Sequence, residues 1–156
     1  MVCDLPTSDL KAALNPVPDA SFNRGGRVAK CMQGTREAIL AEIVQWIDRD
    51  SDHPICWLSG PAGSGKSAIA QTVAEVCEAS NRLAASFFFF RGAGSRSNFT
   101  HFLPTVAYRL AFSLPPTKLH IQSALQSDPL ILSSHMMGII TSINTTEMSN
   151  LIALSM

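Results

Sequence analysis

The sequence predicts an α/β fold in which an incomplete parallel sheet lies between two layers of helices, a partial three-layer α/β/α sandwich. Residues 55–59 and 83–90 are the two predicted strands, because both are short and mostly or wholly apolar. Apolar runs of this length are typical of strands in a parallel sheet that helices cover on both faces. For residues 83–90 the alternative is a packed core helix, which four consecutive phenylalanines disfavour. Apolar residues recur at helical spacing in four stretches, which we predict to be helices: 35–50, 66–78, 98–112 and 117–127.

A glycine-rich loop, G-P-A-G-S-G-K-S at residues 60–67, joins the first predicted strand to a helix. It matches G-x-x-x-x-G-K-[ST], the P-loop or Walker A motif. Its glycines permit positive φ angles, so successive N–H groups can turn towards phosphate oxygens, and the helix N-terminus favours an anion at the same point. Lys66 can reach the β and γ phosphates, and the Ser67 hydroxyl suits the Mg²⁺ that bridges them. The candidate nucleotide-binding residues are therefore Gly60, Pro61, Ala62, Gly63, Ser64, Gly65, Lys66, Ser67 and Ala68, with Ser67 as the candidate metal ligand.

The alternative interpretation of this loop is a flexible Gly/Ser turn that contains a lysine by chance. At ordinary residue frequencies the bare pattern arises in roughly one chain of this length in a hundred, or fewer. A strand directly before the loop and an alanine-rich helix directly after it are the context that the motif requires. We expect the inward positions of this helix to be Ala70, Val73, Ala74 and Cys77.

Composition bounds the class of protein. The 156 residues have room for one domain, and 12 basic residues balance 12 acidic residues. The net charge is therefore zero and does not favour nucleic acid or an acidic membrane as a partner. The four cysteines and four histidines are scattered without metal-ligand spacing, which predicts buried free thiols in a reducing compartment. No signal peptide and no membrane span are predicted, so we expect a cytoplasmic protein.

Three regions are predicted along the chain. Residues 1–33 contain three prolines and a Gly-Gly pair and are interpreted as an irregular lead-in, residues 34–130 as the nucleotide domain, and residues 131–156 as a divergent tail. In the last predicted helix, Leu119, Ile121, Ala124 and Leu125 are expected to face inward. Arg91, directly after the second predicted strand, is a candidate phosphate contact, with a solvated loop arginine as the alternative.

A second acidic motif is missing from the predicted nucleotide domain. P-loop NTPases normally carry an acid at the end of a further strand, the Walker B site, to hold the Mg²⁺ shell and help position water. The acids after Ser67 are Glu75, Glu78, Asp128 and Glu147, and none follows an apolar strand. The sequence therefore favours nucleotide binding over hydrolysis.

Several stretches together resemble the N-terminal part of the fungal NACHT NTPases, which are also described as having a nephrocystin-like N-terminal P-loop domain and belong to the STAND signalling ATPases. The resemblance covers about residues 20–130. It is carried by C-M-Q-G-T-R-E-A-I-L at 31–40, W-L-S-G-P-A-G-S-G-K-S-A-I-A-Q-T-V-A-E at 57–75, L-A-A-S-F-F-F-F-R at 83–91, P-T-V-A-Y-R-L-A at 104–111 and S-D-P at 127–129.

The resemblance implies a partial P-loop NTPase that binds ATP or GTP with Mg²⁺. It places Gly34, Thr35 and Arg36 near the nucleotide base and implies a molecular switch that assembles with full-length relatives. The family's sheet continues into the Walker B strand, whereas residues 131–156 do not resemble that continuation. We therefore expect a product truncated before Walker B or a faulty gene model with a non-coding tail.

Two other functions remain open at the level of sequence. A compact P-loop phosphotransferase acting on a small molecule can be of this length, but 59 residues precede Gly60 and no acid is placed to activate an acceptor hydroxyl. A non-catalytic decoy that associates with full-length relatives through its helices is the other alternative.

Overall fold

A computed structural model describes residues 7–26, 28–49, 55–90, 92 and 94–128. Helices are the regular secondary structure of these ranges, and no strand occurs within them. The predicted α/β sandwich with its parallel sheet is therefore wrong for the described part of the chain. The α-helices are α1 (Thr7–Leu14), α2 (Glu37–Asp48), α3 (Lys66–Ala79), α4 (Phe102–Ser113) and α5 (Pro115–Ser127). Short 3-10 turns are Pro18–Ala20, Gly94–Ser97 and Phe99–His101.

The two predicted strands lack the partners that a sheet requires. Among the described residues, no backbone hydrogen bond joins 55–59 to another segment. Ile55 and Trp57 are 78% and 84% exposed, so this segment is not covered on both faces. In the segment 83–90 the backbone bonds are isolated, with Phe88 N donating to Ala20 O (2.7 Å) and Phe90 N to Arg96 O (3.1 Å). A strand is defined by a continuous ladder with a neighbour, and neither segment has one.

Helices α2 and α3 pack on each other. Ile69, Val73 and Cys77 of α3 pack with Ile47 of α2 in one buried cluster, because each helix carries an apolar stripe at helical spacing. The predicted inward positions of α3 are confirmed, since all four are buried. The guanidinium of Arg82, just after α3, donates to Ile47 O and pairs with Asp48, which ties the ends of the two helices together.

A larger core lies on the other side of the segment 83–90. The fully buried Phe87 contacts the rings of Phe89 and Phe102 edge-on, with centroids 4.8 and 5.4 Å away. Helices α4 and α5 pack against each other here, joined at Leu114. The buried residues of this core are Leu10, Leu14, Val17, Ala20, Ala84, Ala85, Phe87, Val106, Ala107, Leu110, Ala111 and Ile121.

The segment predicted as an irregular lead-in differs from expectation. Residues 7–14 form α1, whose Leu10 and Leu14 are one helical turn apart and are both buried against α4. Two apolar residues on one face of a short helix give only a weak signal in the sequence. Tertiary burial stabilises such a helix although its intrinsic tendency to form is small.

Two further expectations are corrected by burial. Leu119 of α5 is 50% exposed, whereas Ile121 is fully buried and Ala124 and Leu125 pack partly against the core. Of the three cysteines that the structure describes, only Cys77 is buried. Cys31 is half-buried, and Cys56 is exposed because its segment has no neighbouring strand. Cys3 and the tail 131–156 lie outside the described residues.

Candidate functional site

The glycine-rich loop, residues 60–67, lies at the N-terminus of α3 on the surface of the molecule. Gly63 and Gly65 have φ angles of 78° and 85°, in the left-handed region that glycine adopts without strain. Gly65 is the N-cap of α3, and Lys66 is its first residue. The first N–H groups of this 14-residue helix therefore face the loop, where they and the helix dipole favour an anion.

Lys66 is held by the loop itself. Its Nζ donates to Gly60 O at 2.8 Å and to Pro61 O at 2.9 Å, and lies 3.5 Å from Ser64 Oγ. The loop closes further through Ser64 N, which donates to Pro61 O at 3.2 Å. Carbonyl oxygens of the loop therefore hold the Lys66 ammonium group. Ser67, the predicted metal ligand, is exposed beside it.

Arg36 joins this site from α2. It is the N-cap of α2, and its backbone φ of 59° is unusual for a residue other than glycine. Its guanidinium lies against Gly65, so that a Cβ atom at residue 65 would be 2.7 Å from Nη2. The fold thus brings two cations, Arg36 and Lys66, to the N-terminus of α3. The turn before α2 is closed by Thr35, whose hydroxyl donates to Met32 O at 2.6 Å.

The donor set fits a polyanion with a bound divalent cation. Two cationic side chains, the first amides of a long helix and a serine hydroxyl lie at the same end of α3. The space left by the missing Cβ at Gly65 is filled by the Arg36 guanidinium, which therefore lies close to the backbone at the start of α3. Residues 60–68 with Arg36 could hold the phosphates, and Ser67 could ligate the metal.

The described acids that follow the loop lie away from it in sequence or have other partners. Glu75, on α3, accepts from Gln71 Nε2 at 3.1 Å and pairs with Lys30 Nζ at 3.4 Å. Glu78 is exposed near the C-terminal end of the same helix, and Asp128 caps the end of α5. Glu147 and Arg91, the latter a candidate phosphate contact, lie outside the described residues.

Sequence reasoning missed a cavity of about 370 Å³ between the first 3-10 turn and the residues before α4. Arg96 lies in its wall, where it pairs with Asp19 at 3.4 Å and stacks over the Phe90 ring. No described residue of the glycine-rich loop lines this cavity. No sequence motif marks it, because its two walls are about 75 residues apart in the chain.

A family model described as nephrocystin 3, N-terminal, matches residues 34–150, which is more than half of the chain. The chain belongs to the nephrocystin 3 N-terminal family. The nephrocystin-like domain predicted from sequence is therefore confirmed. Its match begins at the predicted boundary of 34 and runs past 130, into the segment predicted as a divergent tail.

No curated protein and no solved structure matches the chain. None of the helices in the described ranges combines the length and the apolar character that crossing a membrane requires.

Proposed function

We propose that this nephrocystin 3 N-terminal domain binds a Mg-nucleotide, ATP or GTP, at residues 60–68, as a P-loop domain of the NACHT and STAND type. One observation carries the proposal. Lys66 and Arg36 both lie at the N-terminus of α3, beside a loop whose Gly63 and Gly65 adopt positive φ angles. Positive charge, backbone donors and absent side chains at a single point suit a phosphate chain.

Each residue of the site would make a different contact with the Mg-nucleotide. Lys66 would exchange two neutral carbonyl acceptors, Gly60 O and Pro61 O, for phosphate oxygens, and such charge-assisted bonds between ions are the stronger kind. The amides at the start of α3 would bind the phosphates, and the Ser67 hydroxyl would bind the Mg²⁺ that neutralises them. Arg36 would lie beside the bound nucleotide, in keeping with the family resemblance.

Binding without hydrolysis is the activity that we propose. Hydrolysis needs an acid that positions the metal shell and the attacking water. Glu75, the first acid after the loop, lies nine positions along α3 from Lys66 and already pairs with Lys30. The proposed role is therefore that of a nucleotide-dependent binding domain.

The proposal is tested with Lys66→Ala in the full chain. We expect Mg-ATP and Mg-GTP affinity, measured by isothermal titration, to fall tenfold or more, because a hydrogen bond to a charged group contributes about 1.5–3 kcal/mol. Lys11→Ala, which removes an exposed lysine of α1, is the matched control and should bind as wild type does. Circular dichroism establishes that both variants retain their helices. Equal affinity in Lys66→Ala and wild type would refute the site.

A further inference from the structure

Residues 10–24, which we call the strap, precede the family match at residue 34 but are built into the body of the domain. Leu10, Leu14, Val17 and Ala20 are buried in the larger core, beside α4 and the segment 84–87. Four buried apolar side chains make the strap part of the folded unit rather than a loose extension. A domain defined by its family boundary alone would leave their contact surface open to water.

Polar contacts hold the strap at defined points of the body. Val17 N donates to Thr105 Oγ1 of α4 at 3.0 Å, and this bond is buried. Phe22 N donates to Ser86 Oγ, also at 3.0 Å. Since a buried donor without a partner is costly, these bonds fix the position of the strap along the body.

The strap also reaches α3 through Gln71, a polar side chain only 2% exposed. Gln71 Nε2 donates to Phe22 O at 2.9 Å, and Gln71 Oε1 accepts from Arg24 Nη1 at 3.2 Å. Arg24 in turn stacks over the Phe88 ring at 4.1 Å. Burial, and secondarily the neighbouring Arg96, lower the pKa of Arg24, against the opposing effect of Asp19.

Gln71 lies five residues after Lys66 on the same helix, which is about 7.5 Å along the helix axis. An α-helix moves as a rigid element, so a shift at its N-terminal end displaces Gln71 relative to the strap. In order to bind phosphates, the Lys66 ammonium would have to leave the loop carbonyls of Gly60 and Pro61. The strap and the loop therefore act on one helix from different points.

We propose that the strap is a conformational device coupled to the glycine-rich loop, with Gln71 as its point of attachment on α3. Seating of the strap on Gln71 favours the α3 position that binds phosphates, and a ligand in the loop strengthens the seating by the same factor. The ligand half of this inference rests on the proposed nucleotide function. Attachment through Gln71 stands independently of it.

The test uses the full chain with a protease site inserted between Gly25 and Gly26, which are exposed and have open space around them. After cleavage of the folded protein, release of an N-terminally labelled strap is followed by fluorescence anisotropy. We expect slow release from wild type and release at least about tenfold faster from Gln71→Ala. Gln45→Ala, an exposed glutamine of α2, is the matched control and should release the strap as wild type does. If Gln71→Ala does not fold, Arg24→Met removes the bond to Gln71 from the strap side.

Addition of saturating Mg-ATPγS should slow strap release from wild type by about fivefold or more, the lower end of ordinary coupling between two sites. The slowing should be smaller in Gln71→Ala.

Equilibrium dialysis of the same nucleotide separates the two proposals. If the nucleotide binds but release is unchanged, the coupling is refuted and the nucleotide function stands. If the nucleotide does not bind, the proposed function and the coupling both fail, and the Gln71→Ala release rate alone decides the attachment. Immediate loss of the wild-type strap, or equal release from wild type and Gln71→Ala, would overturn the inference.

Discussion

The guanidinium of Arg36 lies against Gly65, the residue from which α3 begins. This contact joins the N-termini of α2 and α3, which are 29 residues apart in the chain. At this contact Arg36 has a φ of 59°, which is unusual for a residue other than glycine, whereas Gly65 has a φ of 85°, which glycine adopts without strain. A residue held in the left-handed region without being glycine is strained, and such strain persists only where surrounding contacts maintain it.

Gly65→Ala should destabilise the domain by about 1–2 kcal/mol, the cost of placing a Cβ atom in the left-handed region. The close contact with Arg36 should add little, because the far end of a flexible side chain can move aside. Gly26→Ala is the matched control, since its φ is 93° and open space surrounds it, so its loss in urea unfolding should be similar. Nucleotide affinity should fall only in Gly65→Ala. A Gly65→Ala variant as stable as wild type would contradict the backbone conformation described.

Helices were predictable from the sequence because their signal is local. The α3 pattern of apolar positions gave both its bounds and its buried face, since residues three and four apart on a helix share one side. The glycine-rich loop could be placed before α3 for the same reason. Its likeness to a nucleotide site comes from residue types that are contiguous in the chain.

The sheet and the strap could not be predicted correctly, because both depend on pairing between distant segments. The apolar run at 83–90 predicts burial, and Phe87 is indeed fully buried, but burial alone does not create a neighbouring strand. Ile55 and Trp57 show the converse, since their apolar character did not lead to burial at all. The strap was not predicted, because the residues that its hydrogen bonds to Gln71 and Thr105 join are separated by 47 and 88 positions in the chain.

Ile121→Ala and Leu119→Ala should separate the predicted face of α5 from the observed one. Ile121 is fully buried in the larger core, so its truncation should cost about 2–5 kcal/mol in urea unfolding. Leu119 is 50% exposed, so its truncation should cost less than half as much, although sequence periodicity places both residues inward. Similar losses from the two variants would mean that Leu119 packs into the core after all.

Cys77 should make the stability of the domain sensitive to alkaline pH. Burial raises the pKa of the Cys77 thiol above its ordinary value; nearby Arg82 opposes this effect, and Asp48 adds to it. Between the pKa of the unfolded thiol, about 8.5, and the raised folded value, the native state binds more protons than the unfolded state. The free energy of unfolding therefore receives its full contribution from this thiol below about pH 8.5 and loses that contribution as pH rises through the folded pKa.

Thermal unfolding of wild type and Cys77→Ala between about pH 7.5 and 9.5 measures this contribution directly, since the unfolded thiol ionises near 8.5. Cys77→Ala should be less stable at pH 7.5, because it leaves a cavity between α2 and α3. Its stability should nevertheless fall less steeply with pH than that of wild type. Cys56→Ala is the control, since its thiol is exposed and its removal should leave the wild-type slope intact. Parallel pH profiles for wild type and Cys77→Ala would show that this thiol ionises alike in the folded and unfolded chain.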